Sequence, residues 1–202
     1  MARIGLNNFR FGILTEAADG TATYGAATKP AKAVSCSVSI TNNDASLYAD
    51  DGLAESDKSF QSGTVTMGID NDDLQTMATL LGHDYDSETG TITRNSNDTA
   101  PYVGLGRVVT RMLNGAYNYK VEFLNKVKFS EPSQDDTTKG DSVEFGTTEI
   151  EGTIATLSNG DWSTAKVFDT KDAAITYLES LFGTTAASTE PPAQGTQGTQ
   201  GN

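Results

Sequence analysis

Hydrophobic and polar residues alternate along most of the chain, which is the pattern of β-strands with one covered face and one wet face. The clearest run covers 117–129. Its apolar parity holds Tyr117, Tyr119, Val121, Phe123, Val127 and Phe129, and its polar parity holds Asn118, Lys120, Glu122, Lys126 and Lys128. Comparable runs predict further strands over 4–14, 34–40, 59–69, 103–113, 143–157 and 162–168. The sequence therefore predicts a mainly β chain.

Two Asn-Gly pairs predict tight turns between strands, because a type I′ turn needs positive φ at both central residues. Asn114 and Gly115 lie between two strands and predict a long hairpin over 102–129. Two interpretations stay open: a hairpin that protrudes from the domain, or two ordinary strands inside a sandwich. Asn159–Gly160 predicts a second hairpin turn, and a change of parity predicts a bulge near Thr147–Thr148.

Two short helices interrupt the strand pattern. Asp70 or Asn71 is expected to cap the first, which carries an apolar stripe and ends at Gly82. The stripe consists of Leu74, Met77, Ala78 and Leu81. The second helix is predicted over about 170–182, capped by Asp169 or Thr170 and ended by Gly183. We expect each helix to pack on a sheet face or to cover its open end.

These elements predict one domain over 1–183, an antiparallel β-sandwich or barrel with one or two short flanking α-helices and long hairpin or loop arms. Residues 184–202 have low complexity, a repeated Gly-Thr-Gln and no aliphatic side chain larger than Ala. Such a segment buries too little apolar surface to offset the entropy of ordering, so we expect it to be disordered.

The segment 41–58 combines acidic and apolar residues in a long loop, which indicates a docking arm rather than a flexible linker. Its expected subunit-contact residues are Leu47, Tyr48, Asp50, Asp51, Leu53, Glu55 and Asp57. Because the few apolar side chains need a neighbour to bury them, we expect the arm to become ordered only on assembly.

The chain of 202 residues has a formal net charge of −13, from 27 carboxylates against 14 Lys and Arg. This charge argues against a protein that grips nucleic acid, which needs a basic face. A single cysteine, Cys36, excludes an intramolecular disulfide framework and a cysteine-built zinc site. No stretch approaches the ~18 apolar residues of a membrane helix, and no secretory signal is recognisable, so we expect cytoplasmic synthesis.

Residues with catalytic potential are few and isolated, so we predict neither an enzyme nor a bound cofactor or metal. We interpret His83 as a polar loop residue and Cys36 as a buried structural thiol. Gly104-Leu105-Gly106 lies inside a strand and marks a bend or a close backbone approach, not a dinucleotide site. Paired carboxylates at 50–51, 72–73 and 135–136 lack the ligand spacing of a calcium loop.

The chain resembles the major tail protein (tail tube protein) family of long-tailed siphophages, phi-13 type. Five features carry the resemblance, which extends to about Gly183. They are Gly5 to Gly12 with Phe9, the Ala33-to-Ile40 strand followed by Thr41-Asn42-Asn43-Asp44, the Leu47-Tyr48-Ala49-Asp50-Asp51 arm, the Ala54-Glu55-Ser56-Asp57 stretch, and the step from Ile69-Asp70 to Leu81.

The resemblance implies a structural virion protein made in the bacterial host cytoplasm and located in the virion tail. It implies hexameric rings that stack into a tube, through which DNA passes transiently and without sequence recognition. It also implies contacts with tape measure, tail terminator and baseplate or initiator proteins, and no membrane. An acidic lumen would repel DNA, so we expect Lys120, Lys126 and Lys128 to be paired with carboxylates or turned away from it.

The alternative function is a monomeric β-sandwich that recognises carbohydrate, since Trp162 and scattered tyrosines are able to stack on sugars. Trp162 follows a tight turn at the start of a strand, where core packing is the commoner role. The state of the concentrated protein separates the two functions, because a tube subunit polymerises and a binding module stays small.

Overall fold

A computed structural model describes residues 2–30, 32–49, 52–70, 73–133 and 147–183, with the backbone alone at 33, 45–49 and 52–57. This part of the chain forms twelve strands and two helices. The strands are β1 (Ala2–Glu16), β2 (Ala22–Tyr24), β3 (Ala33–Asn42), β4 (Ala45–Ala49), β5 (Gly52–Asp57), β6 (Phe60–Ile69), β7 (Asp84–Asp86), β8 (Thr91–Thr93), β9 (Tyr102–Leu113), β10 (Ala116–Phe129), β11 (Thr148–Ile154) and β12 (Ser163–Phe168); the helices are α1 (Leu74–Leu81) and α2 (Lys171–Ser180). All strand pairs are antiparallel, so the prediction of a mainly β, antiparallel fold is confirmed.

Strand β10 joins the two halves of the main sheet, whose order is β2-β1-β9-β10-β11-β6-β3. Its first half, Tyr119 to Leu124, pairs with β12, and its last residues, Val127 to Phe129, pair with β11. A bulge between Leu124 and Val127 separates these two stretches. Because a bulge bends its strand and increases the twist, β11-β6-β3 turns over the other strands and gives a sandwich-like arrangement.

The hydrophobic core is divided between the two faces of the β9–β10 hairpin. The larger cluster lies between the two halves of the sheet and includes Phe9, Met67, Leu105 and Ile150. The smaller cluster lies under α2, and its members are Val108, Val121, Phe123, Ala174, Leu178 and Phe182. The hairpin is therefore covered on both sides, by the opposite half of the sheet and by a helix.

The sequence prediction of a single apolar face on β10 is wrong. Val121 and Phe123 pack under α2, whereas Val127 and Phe129 belong to the cluster between the sheet halves. The bulge inserts one residue and so reverses which parity faces which side. Leu124, on the parity expected to be wet, precedes the bulge and is buried because the other half of the sheet covers that face.

The predicted hairpin over 102–129 is present, and its turn has the predicted geometry. Asn114 has φ 50° and Gly115 has φ 81°, as a type I′ turn requires. Of the two interpretations left open, two ordinary strands inside a sandwich describes the base of this hairpin, and a protruding hairpin describes its tip. Residues 103–109 are buried at the centre of the sheet, whereas Leu113 and Tyr117 near the turn are exposed.

The second Asn-Gly pair makes a turn but not the predicted hairpin. Gly160 has φ 90°, and the Leu157 N–H donates to the Asp161 carbonyl across 2.9 Å. β11 and β12 nevertheless pair with the same strand, β10, on either side of its bulge rather than with each other. β11 pairs with β6 from Thr148 without a register shift. Residues 143–146 of the predicted strand lie outside the described residues.

The first helix begins later than the sequence predicts. Asp73, not Asp70 or Asn71, caps α1, because its carboxylate accepts the Thr76 N–H at 3.0 Å. The Asp70 carboxylate instead accepts the backbone N–H of Lys32 at 2.9 Å. The predicted stripe is also corrected: Leu74 is exposed, and the buried residues are Met77, Ala78, Leu80 and Leu81. Gly82 ends the helix with φ 79°, as expected.

The second helix follows its prediction more closely. Thr170 caps α2 by accepting the Ala173 N–H, and Ala174 and Leu178 form its buried face. The helix ends at Ser180, two residues before the predicted end at Phe182. The Gly183 N–H then donates to the Tyr24 carbonyl at 2.9 Å, which joins the end of the helix to β2.

Gly104 and Gly106 allow aromatic and aliphatic side chains to lie directly on β9, as the sequence predicts for a close backbone approach. A Cβ at residue 104 would lie 2.5 Å from the Tyr24 ring and 2.6 Å from the Phe123 ring. These two rings form an edge-to-face pair at 4.9 Å, and the Tyr24 hydroxyl donates to the Asn125 carbonyl at 3.0 Å. The ring of Tyr24 is thus held at both ends and has little room to move.

We expect Gly104→Ala to lower the free energy of unfolding by about 1–3 kcal/mol, because the added methyl group overpacks the Tyr24–Phe123 pair. The matched control is Gly5→Ala on β1, where the nearest atom to the new Cβ is 3.7 Å away on Thr110. That change should leave stability unchanged or raise it by up to about 1 kcal/mol. Urea denaturation of the two variants measures the difference, and equal losses would contradict the packing assigned to Gly104.

Candidate functional site

The predicted docking arm is a β-hairpin rather than a loop. β3 and β6 pair as far as Asn42 and Phe60, and the Asn43 N–H donates to the Ser59 carbonyl at 2.9 Å. Beyond this point β4 and β5 pair with each other, from Ala45 opposite Asp57 to Ala49 opposite Gly52. Neither strand pairs with another strand of the described chain. We call 43–58 the acidic hairpin.

The structure places most of the predicted contact residues on the acidic hairpin. Leu47 and Tyr48 lie on β4, and Leu53, Glu55 and Asp57 lie on β5. Asp50 and Asp51 fall between the strands, outside the described residues. At the base, Lys58 and Asp44 form an exposed ion pair at 3.7 Å. The predicted role of these residues in subunit contact stays a prediction.

The tip of the β9–β10 hairpin is the second exposed feature. β1 accompanies it, with Ala2 opposite Met112 and Arg3 opposite Arg111. Met112 and Tyr117 face each other across the hairpin and are 36% and 55% exposed. Leu113, next to the turn, is also exposed. Apolar side chains clustered in this way on a sheet end are typical of a contact surface.

A polar cleft between the two halves of the sheet was not predicted from the sequence. The buried Arg107 guanidinium contacts the Glu122 carboxylate and lies 2.9 Å from the Cys36 sulfur. The Lys120 ammonium donates to the other oxygen of Glu122 at 2.5 Å. The cavity beside these groups measures about 260 Å³, and Arg3, Trp162 and Ser163 also line it.

The charges in the cleft determine the state of its titratable groups. Burial alone would raise the pKa of Glu122, but the Lys120 and Arg107 cations outweigh it and lower that pKa. Burial raises the pKa of the Cys36 thiol despite the nearby Arg107. The carboxylate is therefore charged and the thiol neutral at pH 7, and a neutral thiol is a poor nucleophile. The sequence predicts a buried thiol at Cys36. The structure shows this side chain half-buried and packed against the larger core cluster.

A second ion pair secures the bulge of β10. The Lys126 ammonium donates to Glu16 at 2.7 Å, and the backbone N–H of Ser158 donates to the other oxygen of Glu16 at 2.6 Å. These hydrogen bonds lower the pKa of Glu16 from 4.5 to about 2. Glu16 thus links the end of β1 to β10 and to the turn that follows β11.

The three lysines of β10 have different surroundings. Lys120 and Lys126 are paired with Glu122 and Glu16, as the sequence analysis expects. Lys128 has no carboxylate partner within the described ranges and lies over the Tyr102 ring, 5.4 Å from its centroid. That Lys128 turns away from a lumen stays a prediction.

His83 is a loop residue with polar contacts, as interpreted from the sequence, and its side chain is also enclosed. Its side chain is 5% exposed, with Nδ1 2.8 Å from Asp98 and Nε2 in contact with Glu131. Two hydrogen bonds lower the pKa of Asp98: the larger effect comes from the backbone N–H of Asn95, and the next from the His83 ring. The ring links the loop before β9 to the end of β10. None of its contacts among the described residues is a nucleophile.

Trp162 is engaged in packing, which is the role its position indicates. Its ring stacks on Phe60 with centroids 4.7 Å apart and planes 4° apart. One face of the indole is therefore covered by Phe60, at the point where β6 begins, and the side chain also lines the cleft.

The described residues contain no group of three or more His, Cys, Asp or Glu side chains that could hold a metal ion. Of the paired carboxylates, Asp73 caps α1, and positions 50–51, 72 and 135–136 lie outside the described residues. Neither described helix is long and apolar enough to span a membrane. No family model matches the chain, and no curated protein matches it.

We expect Glu122→Ala to lower the free energy of unfolding by roughly 3 kcal/mol, because it leaves the buried Arg107 guanidinium without its counter-charge. The control is Glu149→Ala on β11, an exposed position where a change should stay within about 0.5 kcal/mol. Chemical denaturation at pH 7 measures both values. A loss no larger than that of the control would contradict the role of Glu122 in holding the cleft together.

Glu16→Gln should destabilise the protein at pH 7 and lose this effect in acid. Because the pKa of Glu16 is lowered to about 2, its contribution is complete above the ordinary value of 4.5 and disappears as the pH falls from 4.5 to 2. Denaturation midpoints of wild type and variant should therefore converge as the pH decreases. A gap that is as wide at pH 2.5 as at pH 7 would contradict the ion pair with Lys126.

Proposed function

We propose that the protein is a tail tube subunit that assembles into hexameric rings stacked as a tube. The observation that carries this proposal is the acidic hairpin, a pair of strands beyond the main sheet whose only strand partners in the described chain are each other. A hairpin in this position has no evident purpose in the folding of one subunit, but it supplies the reach that a contact with a neighbouring copy needs.

The strand edges support assembly through main-chain pairing. β2 and β3 end the main sheet, and β12 pairs on one side with β10. In the described part of the chain these strands each keep an edge without a strand partner. Free edges are liable to aggregate unless a native partner covers them. In a ring, a neighbouring copy covers the free strand edges through a heterologous contact, in which one patch of each copy meets a different patch of the next.

The charge supports a role in conducting DNA without binding it. A formal net charge of −13 repels phosphate within a Debye length of ~8 Å at physiological salt. Two of the three lysines of β10 already have carboxylate partners. On this proposal the protein resides in the virion tail, and the tape measure, terminator and baseplate or initiator proteins are its partners there.

A monomeric carbohydrate-binding sandwich stays the alternative function, although the stacking of Trp162 on Phe60 leaves one indole face for a sugar rather than two. Electron microscopy of the concentrated protein separates the two functions, because only the tube subunit forms rings or long polymers. Antibody labelling of virions tests the location, since the label should lie along the tail shaft.

Replacing residues 45–57 by a short Gly-Ser turn should abolish polymers and leave the sandwich folded. The Asn43–Ser59 hydrogen bond lies at the base of the hairpin and is kept, so the turn closes on an existing strand pair. Electron microscopy and sedimentation should show a monomer whose thermal midpoint is close to that of the wild type.

The control for this variant is Glu88→Ala, an exposed residue in the turn between β7 and β8, which should polymerise normally. If the shortened variant forms the same polymers as the wild type, the hairpin has no role in assembly. If the wild type stays monomeric at every concentration and virions are not labelled on the shaft, the tube proposal fails.

A further inference from the structure

An uncompensated positive charge lies at the open end of the cleft between the sheet halves. Arg3 and Arg107 line the cavity together with Lys120, and Glu122 is the carboxylate that accompanies them. Arg111 lies directly opposite Arg3 on the neighbouring strand and so shares its face of the sheet. We call Arg3, Arg107, Arg111 and Lys120 the cationic mouth.

The cationic mouth is unusual in a chain that is otherwise strongly acidic. Arg107 and Lys120 share one carboxylate, Glu122. Within the described residues neither Arg3 nor Arg111 has a carboxylate partner, and the Arg111 Nε–H donates to the neutral Asn118 at 3.0 Å. Like charges directly opposite each other on neighbouring strands destabilise a sheet. This arrangement therefore costs stability in the free subunit, and an anion from outside would relieve that cost.

The acidic hairpin has the charge and the form of that anion. Its stretch 44–57 contains five carboxylates and no Lys or Arg. Asp44 is already paired with Lys58, whereas Glu55 and Asp57 lie two residues apart on β5 and so share one face of the hairpin. Six residues of extended strand reach roughly 20 Å, enough to enter a neighbouring molecule.

We propose that the cationic mouth of one copy binds the acidic hairpin of a second copy, through Arg3 and Arg111 at the rim with Lys120 deeper in the cleft. This inference rests on the proposed function and names the receptor for its arm. The cavity of about 260 Å³ has room for an entering side chain. Arg107 holds Glu122 in place, which keeps the walls of the cleft fixed while the rim binds.

The proposal is tested by the binding of a synthetic peptide of residues 43–58 to the full chain, below the concentration at which it polymerises. Trp162 is the only tryptophan and lines the cleft, so its fluorescence reports occupancy. We expect saturable binding that weakens as salt is raised. Binding should weaken at least about tenfold in the double variant Arg3→Glu and Arg111→Glu, because the rim then repels the peptide.

The matched control reverses two exposed bases elsewhere, Arg94→Glu and Lys171→Glu, which changes the net charge by the same amount. Peptide affinity should stay within about twofold of the wild type. A peptide carrying Glu55→Lys and Asp57→Lys should bind the Arg3→Glu and Arg111→Glu chain at least about tenfold more tightly than it binds the wild type or the control. Equal loss of affinity in the rim and control variants would overturn the proposal.

The same substitutions in the full chain separate this inference from the tube. Charge reversal at the rim (Arg3→Glu with Arg111→Glu) and charge reversal on the hairpin (Glu55→Lys with Asp57→Lys) should each prevent polymers. Combining the two reversals should restore polymers. Combining the hairpin reversal with Arg94→Glu and Lys171→Glu should not. If rim-reversed protein polymerises like the control, the receptor assignment is wrong and the tube stands. If the peptide binds as expected but the wild type never forms polymers and virions are not labelled on the shaft, the tube is wrong and the contact between copies stands.

Discussion

The bulge of β10 between Leu124 and Val127 is the constraint on which the rest of the architecture depends. It allows one strand to pair with β12 along its first half and with β11 at its end. The sheet turns at this point, and the larger core cluster closes between its two halves. The ion pair of Glu16 with Lys126 lies at the bulge, so the least regular part of the ladder is also held by charge. Without the bulge, the residues after it would face the opposite side of the sheet.

Local signals predicted the elements well, and the register within the long hairpin was available from the same signal. The Asn114–Gly115 turn fixes the pairing, since counting seven residues outward on each side brings Arg107 opposite Glu122. The ion pair of Arg107 with Glu122 could therefore have been predicted as a cross-strand pair. Its burial could not have been predicted, because the facing wall of the cleft comes from Cys36 and Val38, on a strand about seventy residues earlier in the chain. Periodicity reports which residues share a face, but not what covers that face.

The errors have a common physical origin. The single apolar face of β10 and the hairpin expected at Asn159–Gly160 were both inferred from neighbours in sequence. Each is decided by a distant partner: the helix α2 and the opposite half of the sheet for β10, and the shared edge of β10 for the turn. The enclosure of His83 by the carboxylates of Asp98 and Glu131 also comes from distant residues. Helix α1 adds a smaller case, in which several Asp residues compete for one cap and the bond to Thr76 selects Asp73. Tertiary context overrides local preference wherever two signals are close in energy.

The distribution of charge connects the fold to the proposed assembly. An acidic chain gains solubility and repels nucleic acid, but it also repels copies of itself, so tight association needs local positive charge at the contact. The cationic mouth supplies that charge where the sandwich is open, and Glu122 keeps Arg107 from being an isolated buried cation. The acidic hairpin concentrates the opposite charge on strands that lie beyond the main sheet. On this proposal one polypeptide carries both halves of a heterologous contact, as a closed ring of identical subunits requires.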